Sequence, residues 1–140
     1  MVVDDNPFNL ETLKLMIKQQ FNIDVVKAAN GEQAVKVFRE KNIDHKKTCI
    51  SSCKFPFYDL IFMDLNMPVL DGYQATEQII ALQKDQEHKC SIVALTAYQN
   101  KEALDRCTDI GMQEVLNKPA KSDAISQVIQ KYCNLLKAVW

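Results

Sequence analysis

The chain has 140 residues, 47% of them hydrophobic and 25% charged, enough for one domain that buries roughly two-thirds of its unfolded surface. A formal net charge of -1 removes the electrostatic case for nucleic acid, which asks for a concentrated basic face. No apolar run approaches the ~20 residues of a membrane span, and no basic-then-apolar leader opens the chain, so it reads as soluble and cytoplasmic, or as a piece of something larger.

Apolar runs alternate with helical patterns from end to end. "MVV" stops at Asp4-Asp5, and Asn6 can then cap a helix with Pro7 in its first turn, where the missing N–H costs nothing. Leu10, Leu13, Met16 or Ile17 and Phe21 follow at helical spacing. "IDVVKAA" is strand-like, and Asn30-Gly31 turns into a second helix with Ala34, Val37 and Phe38 on one face. "YDLIFMD" has the continuous apolar character of a buried strand, and Asp71-Gly72 starts the helix "GYQATEQIIAL". "SIVALTA" is a strand, "KEALDRCTDIG" a helix closed by Gly111, "EVLNKP" a short strand, and Ser122 caps a last helix. Strands apolar on both faces, alternating with amphipathic helices, predict an α/β fold: a mostly parallel sheet covered on both sides. The whole of 1–140 is read as a single domain, interrupted by one long loop over residues 39–57, on the side away from any site at the strands' C-terminal ends.

The five cysteines, Cys49, Cys53, Cys90, Cys107 and Cys133, are odd in number and form no disulfide framework. Cys107 and Cys133 fall where helical patterns would bury them. His45, Cys49 and Cys53 recur every four residues, with His88 and Cys90 as conceivable further ligands, but the tight C-x-x-C of a zinc site is missing.

The polar residues that end the apolar runs carry more information. The first run ends in Asp4-Asp5, the third in Asp64, the fourth in Thr96 and the fifth in Lys118-Pro119. In a parallel sheet these all emerge at one edge, where open α/β sheets bind ligands. Crowded carboxylates resist ionising together unless a cation joins them. An all-oxygen set without His or Cys suits Mg²⁺. A lysine and a hydroxyl can bind phosphoryl oxygens. Gly31, Gly72 and Gly111 are the only glycines, so no phosphate-cradling loop for a nucleotide exists. Taken singly, Asp4-Asp5 is an ordinary helix start, Lys118 a surface charge and Thr96 a strand residue. The agreement of four strand ends is what points to phosphoryl transfer onto a carboxylate.

"VVDDN", "DLIFMDLNMPVLDG", "IVALTA" and "LNKP" together resemble the receiver domain of two-component response regulators, across almost the whole chain. "DDNPFN" and "MPVLDGYQAT" are more similar to receivers attached to hybrid histidine kinases, which would make the domain the cytosolic part of a membrane protein. The resemblance implies a flavodoxin-like fold with strand order 2-1-3-4-5. It implies Asp64 as the phosphoacceptor, taking a phosphoryl group from phosphohistidine of a histidine kinase or histidine-containing phosphotransfer protein. Asp4, Asp5, Asp64 and the backbone carbonyl of Asn66 would hold Mg²⁺. Thr96 and Lys118 would contact the phosphoryl group, with a cis Lys118-Pro119 peptide. Such a domain catalyses its own phosphorylation and slow dephosphorylation without being a conventional turnover enzyme. The first helix, near Asn6 to Leu10, is its expected docking surface.

Departures from the family pattern are Val115, where an aromatic switch residue is usual, the short first strand, and the long loop. Asn66 and Tyr98 are expected to flank the path of the hydrolytic water. Alternative readings are a receiver that only docks partners, a Mg²⁺-dependent aspartyl-phosphate phosphohydrolase, and a flavodoxin-like cofactor binder. The phosphohydrolase wants a general acid where Asn66 stands, and the acid cluster would repel a flavin phosphate.

Overall fold

A computed structural model describes residues 1–48, 58–86 and 89–133. Five strands form a parallel sheet in the order β2-β1-β3-β4-β5: β1 Val2–Val3, β2 Lys27–Ala28, β3 Leu60–Asp64, β4 Ser91–Thr96 and β5 Glu114–Asn117. Helices α1 Pro7–Phe21, α2 Gly31–Thr48, α3 Gly72–Leu82, α4 Lys101–Ile110 and α5 Ser122–Tyr132 alternate with them. This is the expected doubly wound order. Among the described residues no helix is long and apolar enough to cross a membrane.

The strands divide their side chains between two cores, as a period of two requires. Val3, Ile61, Met63, Ile92 and Ala94 face Ala34, Phe38, Ala75, Ile79 and Cys107, which come from α2, α3 and α4. Val2, Leu60, Phe62, Val93 and Leu95 face Leu10, Leu13, Ile17, Ile125, Val128 and Ile129, which come from α1 and α5. β3 is buried along its whole length because it has a helical layer on each side.

Local chemistry sets most boundaries. The Asn6 side chain accepts from the Phe8 N–H, with Pro7 following in the first turn of α1. Asp71 and Gln74 form a reciprocal capping box that starts α3. Gly111 closes α4 at φ 99°, a left-handed conformation that glycine adopts without strain.

Four expectations need correction. The second strand is confined to Lys27–Ala28, since β1 offers only Val2 and Val3 as ladder partners. The segment read as loop from residue 39 is helical through Thr48. Asn42 anchors that extension: it is buried, donates to the Leu82 carbonyl at 3.1 Å and accepts from Gln86 at 2.6 Å, tying α2 to the end of α3. Residues 49–57, with Cys49 and Cys53, lie outside the described residues, as do His88 and the side chain of His45. Ser122 is the first helical residue of α5 and Lys121, which has no side-chain acceptor, occupies the cap without a side-chain bond; the Ser122 hydroxyl accepts from the Gln20 amide of α1. Cys107 is buried as expected, whereas Cys133 follows the last residue of α5 and is only half-buried.

Gly72 holds the segment after β3 in place. Its N–H donates to the Leu65 carbonyl at 3.0 Å, and a Cβ there would sit 2.2 Å from the Asp64 carbonyl oxygen. No side chain fits. Gly72→Ala is therefore expected to lower stability by about 2 kcal/mol or more in urea unfolding, since relief requires the backbone behind Asp64 to move.

Candidate functional site

The strand ends converge. Asp4 follows β1, Asp64 ends β3, Thr96 ends β4, and Lys118 follows β5. Parallel pairing fixes this: Asp64 lies opposite Leu95, Thr96 opposite Asn117, and the Lys118 N–H donates to the Thr96 carbonyl at 2.9 Å. The Lys118-Pro119 peptide is cis.

Lys118 sits among the acids. Its Nζ lies 2.8 Å from Asp4 Oδ2 and 3.0 Å from Asp64 Oδ1. Asp4 is wholly buried and Asp64 nearly so, whereas Asp5 is exposed. Oxygens of Asp4, Asp5 and Asp64 all lie within 4.8 Å of one another. One ammonium among three carboxylates leaves excess negative charge in a largely desolvated place. That donor set, oxygen only and crowded, fits a hard divalent cation such as Mg²⁺.

Each acid is also held by local bonds. Asp4 Oδ1 accepts from the Asn6 N–H at 2.9 Å, and the Asn9 amide lies 3.5 Å from Oδ1 and 3.3 Å from Oδ2. Asp64 Oδ1 accepts from the Asn66 N–H at 3.3 Å. The Thr96 hydroxyl accepts from the Tyr98 N–H at 3.0 Å and donates to the Tyr98 carbonyl at 3.2 Å, closing a small turn. The Tyr98 side chain itself is exposed. Val115 is half-buried against the α2–α4 core, and its carbonyl lies 3.5 Å from the Gln99 amide.

Burial pushes the Asp64 carboxyl up to about 6, helped by the Asp4 charge and opposed by Lys118. For Lys118, burial pulls downward, but the two carboxylates outweigh it and hold the ammonium above its ordinary value.

Two contributors escaped the sequence reading. Asn9 approaches Asp4 across a helix turn, and nothing in its polar, unpatterned position signals that. Gly72 was read as a helix start, while its close approach to Asp64 requires the third dimension.

A five-stranded parallel sheet with acids, hydroxyl and lysine at its carboxyl edge defines a class of α/β signalling modules. Comparison with known proteins makes it specific. The family model for the response regulator receiver domain matches residues 1–130, and the chain belongs to that family. It is 32% identical over 137 residues to hybrid signal transduction histidine kinase L of Dictyostelium discoideum, covering 94% of this chain but 7% of that protein. The chain thus spans only a small part of the length of such relatives. The receiver domain of sensor histidine kinase PA1611 of Pseudomonas aeruginosa, solved with a magnesium ion coordinated in its active-site cleft, is 32% identical. Its TM-score is 0.71, with 94% of this chain and 93% of that one covered. The receiver domain of Ssk1 of Saccharomyces cerevisiae, solved with the histidine phosphotransfer protein Ypd1, is 28% identical, with a TM-score of 0.76 over 94% and 85% of the two chains.

The raised Asp64 value carries a stability prediction for the metal-free protein. The folded carboxyl keeps its proton up to about 6, while an unfolded one loses it near ~4. The native state therefore binds more protons across that window, and stability falls as pH rises through it. Asp64→Asn does not titrate, so in chelator it should be more stable than the parent at neutral pH, by on the order of 2 kcal/mol. Denaturant melts should show the advantage shrinking towards pH 4; a constant difference would contradict the assignment.

Proposed function

We propose that this receiver is a phosphoacceptor in a two-component phosphorelay, with Asp64 as the residue modified. The observation that carries the reading is the placement of Asp64 at the end of β3, ion-paired to Lys118 and within 4.8 Å of Asp4 and Asp5. An Asp64 oxygen attacks the phosphorus of a phosphohistidine. The P–N bond breaks and its electron pair returns to the imidazole nitrogen. Asp4, Asp5, Asp64 and the Asn66 carbonyl are the residues that would hold Mg²⁺, which when bound neutralises charge on the transferring phosphoryl oxygens. Lys118 moves from its carboxylate partners towards a phosphoryl oxygen, and the Thr96 hydroxyl donates to another. Hydrolysis of the acyl phosphate later returns Asp64 to the free carboxylate.

The donor is a histidine kinase or a histidine-containing phosphotransfer protein, as the Ssk1–Ypd1 complex supports by likeness. The exposed start of α1, where Phe8 is 75% exposed beside the site, is the surface offered to it. The hybrid kinase relative supports reading the chain as one segment of such a kinase.

Incubation with acetyl phosphate and Mg²⁺ tests this directly. The parent should gain the mass of one phosphoryl group, and chelator or Asp64→Asn should abolish the gain. Labelling of Asp64→Asn at the parent's rate would move the site. A docking-only receiver would take no label under any condition.

Tyr98 follows Thr96 by two residues with its ring exposed, which supports reading it as a shield of the acyl phosphate against water. Tyr98→Ala should hasten decay of the aspartyl phosphate roughly threefold, a barrier change below about 1 kcal/mol. Unchanged or slower decay would reject the shielding role.

A further inference from the structure

We propose that Asn9 is a positioning residue that keeps the Asp4 carboxylate in place while Lys118 is drawn towards a phosphoryl group. The inference rests on the phosphoacceptor reading above, because only there does Lys118 change partners.

Asp4 has no exposed surface, so each of its oxygens depends on donors from the protein. Oδ1 has the Asn6 N–H at 2.9 Å, a backbone bond fixed by the start of α1. Oδ2 has the Lys118 ammonium at 2.8 Å. That same ammonium is 3.0 Å from Asp64 Oδ1, the oxygen beside which a phosphoryl group would be built. Movement of Lys118 onto that group removes the protein donor from Oδ2: a cation held by the acid cluster would compensate the charge, but the bond that fixed the carboxylate's orientation is lost.

Among the described residues, one other donor is within reach of Oδ2. The Asn9 Nδ2 is 3.3 Å from it and 3.5 Å from Oδ1, both longer than a well-formed N–H···O bond. Asn9 is therefore a weak contact while Lys118 is in place. A shift of a few tenths of an ångström would make it a charge-assisted bond to a carboxylate. Its backbone lies in the first turn of α1, behind the Asn6 cap and Pro7, so the amide is mounted on a fixed element. Being neutral, it does not compete with a cation for the acid cluster, as a lysine there would.

The surroundings make the test practicable. A cavity of about 300 Å³ borders Asp4, Asn9, Leu13, Met16, Lys118 and Pro119. The Asn9 amide is consequently not wedged into the core, and its truncation should leave the fold intact.

The experiment compares the parent with Asn9→Ala, Asn9→Leu (similar volume, no donor) and Asn9→Gln (same amide, longer reach). Calorimetric titrations measure Mg²⁺ alone, then beryllofluoride, a phosphoryl mimic, at saturating Mg²⁺. Asn9→Ala and Asn9→Leu should change Mg²⁺ affinity less than about twofold yet weaken beryllofluoride binding about tenfold, the worth of one charge-assisted bond. Asn9→Gln should recover part of that loss, and the melting temperature of the ligand-free variants should stay within about 2 °C of the parent. Equal losses in the two titrations, or none, would overturn the inference while leaving the phosphoacceptor reading intact. A parent that binds neither Mg²⁺ nor beryllofluoride would overturn that reading, and the inference with it.

Discussion

The structure turns on one ammonium group shared by two buried carboxylates. Lys118 Nζ reaches both Asp4 and Asp64, residues from strands on either side of β1 and β3's junction. Without a cation at that point, two charged groups would lie in a place from which water is largely excluded, and leaving one partner of such a set unpaired costs about 3–5 kcal/mol. The pairing is incomplete all the same, because Asp5 adds a third carboxylate within 4.8 Å. The resting site is held together and still short of positive charge. A structural ion pair would be balanced; this one is not.

The rest of the fold serves that convergence. Strand ends meet because every strand of the sheet is parallel, and parallel strands meet at one edge only if each returns through a crossover. The crossovers are covered by two separate cores, α1 and α5 on one face, α2, α3 and α4 on the other. β3 is common to both, so the nucleophile's strand is gripped from each side. Gly72 then brings the following loop against the Asp64 carbonyl, closer than any other residue type would permit.

Much of this was legible because position in a parallel strand translates directly into position in space. Asp4, Asp5, Asp64, Thr96 and Lys118 each follow an apolar run, and the structure gathers Asp4, Asp5, Asp64 and Lys118 into one cluster with Thr96 bonded to the Lys118 backbone. The Asn6 and Asp71 caps were readable for a similar reason: capping is local. Failures came where the cause was distant. The reach of α2 depends on Asn42 meeting the end of α3, a contact across 40 residues of sequence that no periodicity reveals. Ser122 has the chemistry of a cap but spends its hydroxyl on Gln20. Asn9 resembles any polar residue on a helix until its amide is seen over Asp4.

The turn that closes on Thr96 has an implication for the hydroxyl it holds at the sheet edge. A threonine hydroxyl has a single proton to give, and here it is committed to the Tyr98 carbonyl. Any acceptor that claims that proton takes it from the Tyr98 carbonyl, leaving the turn between residues 96 and 98 held by the Tyr98 N–H bond to the same oxygen. The hydroxyl at the end of β4 and the backbone two residues further on are thus tied together in the resting state. Val115, half-buried against the α2–α4 core, takes no part in that tie.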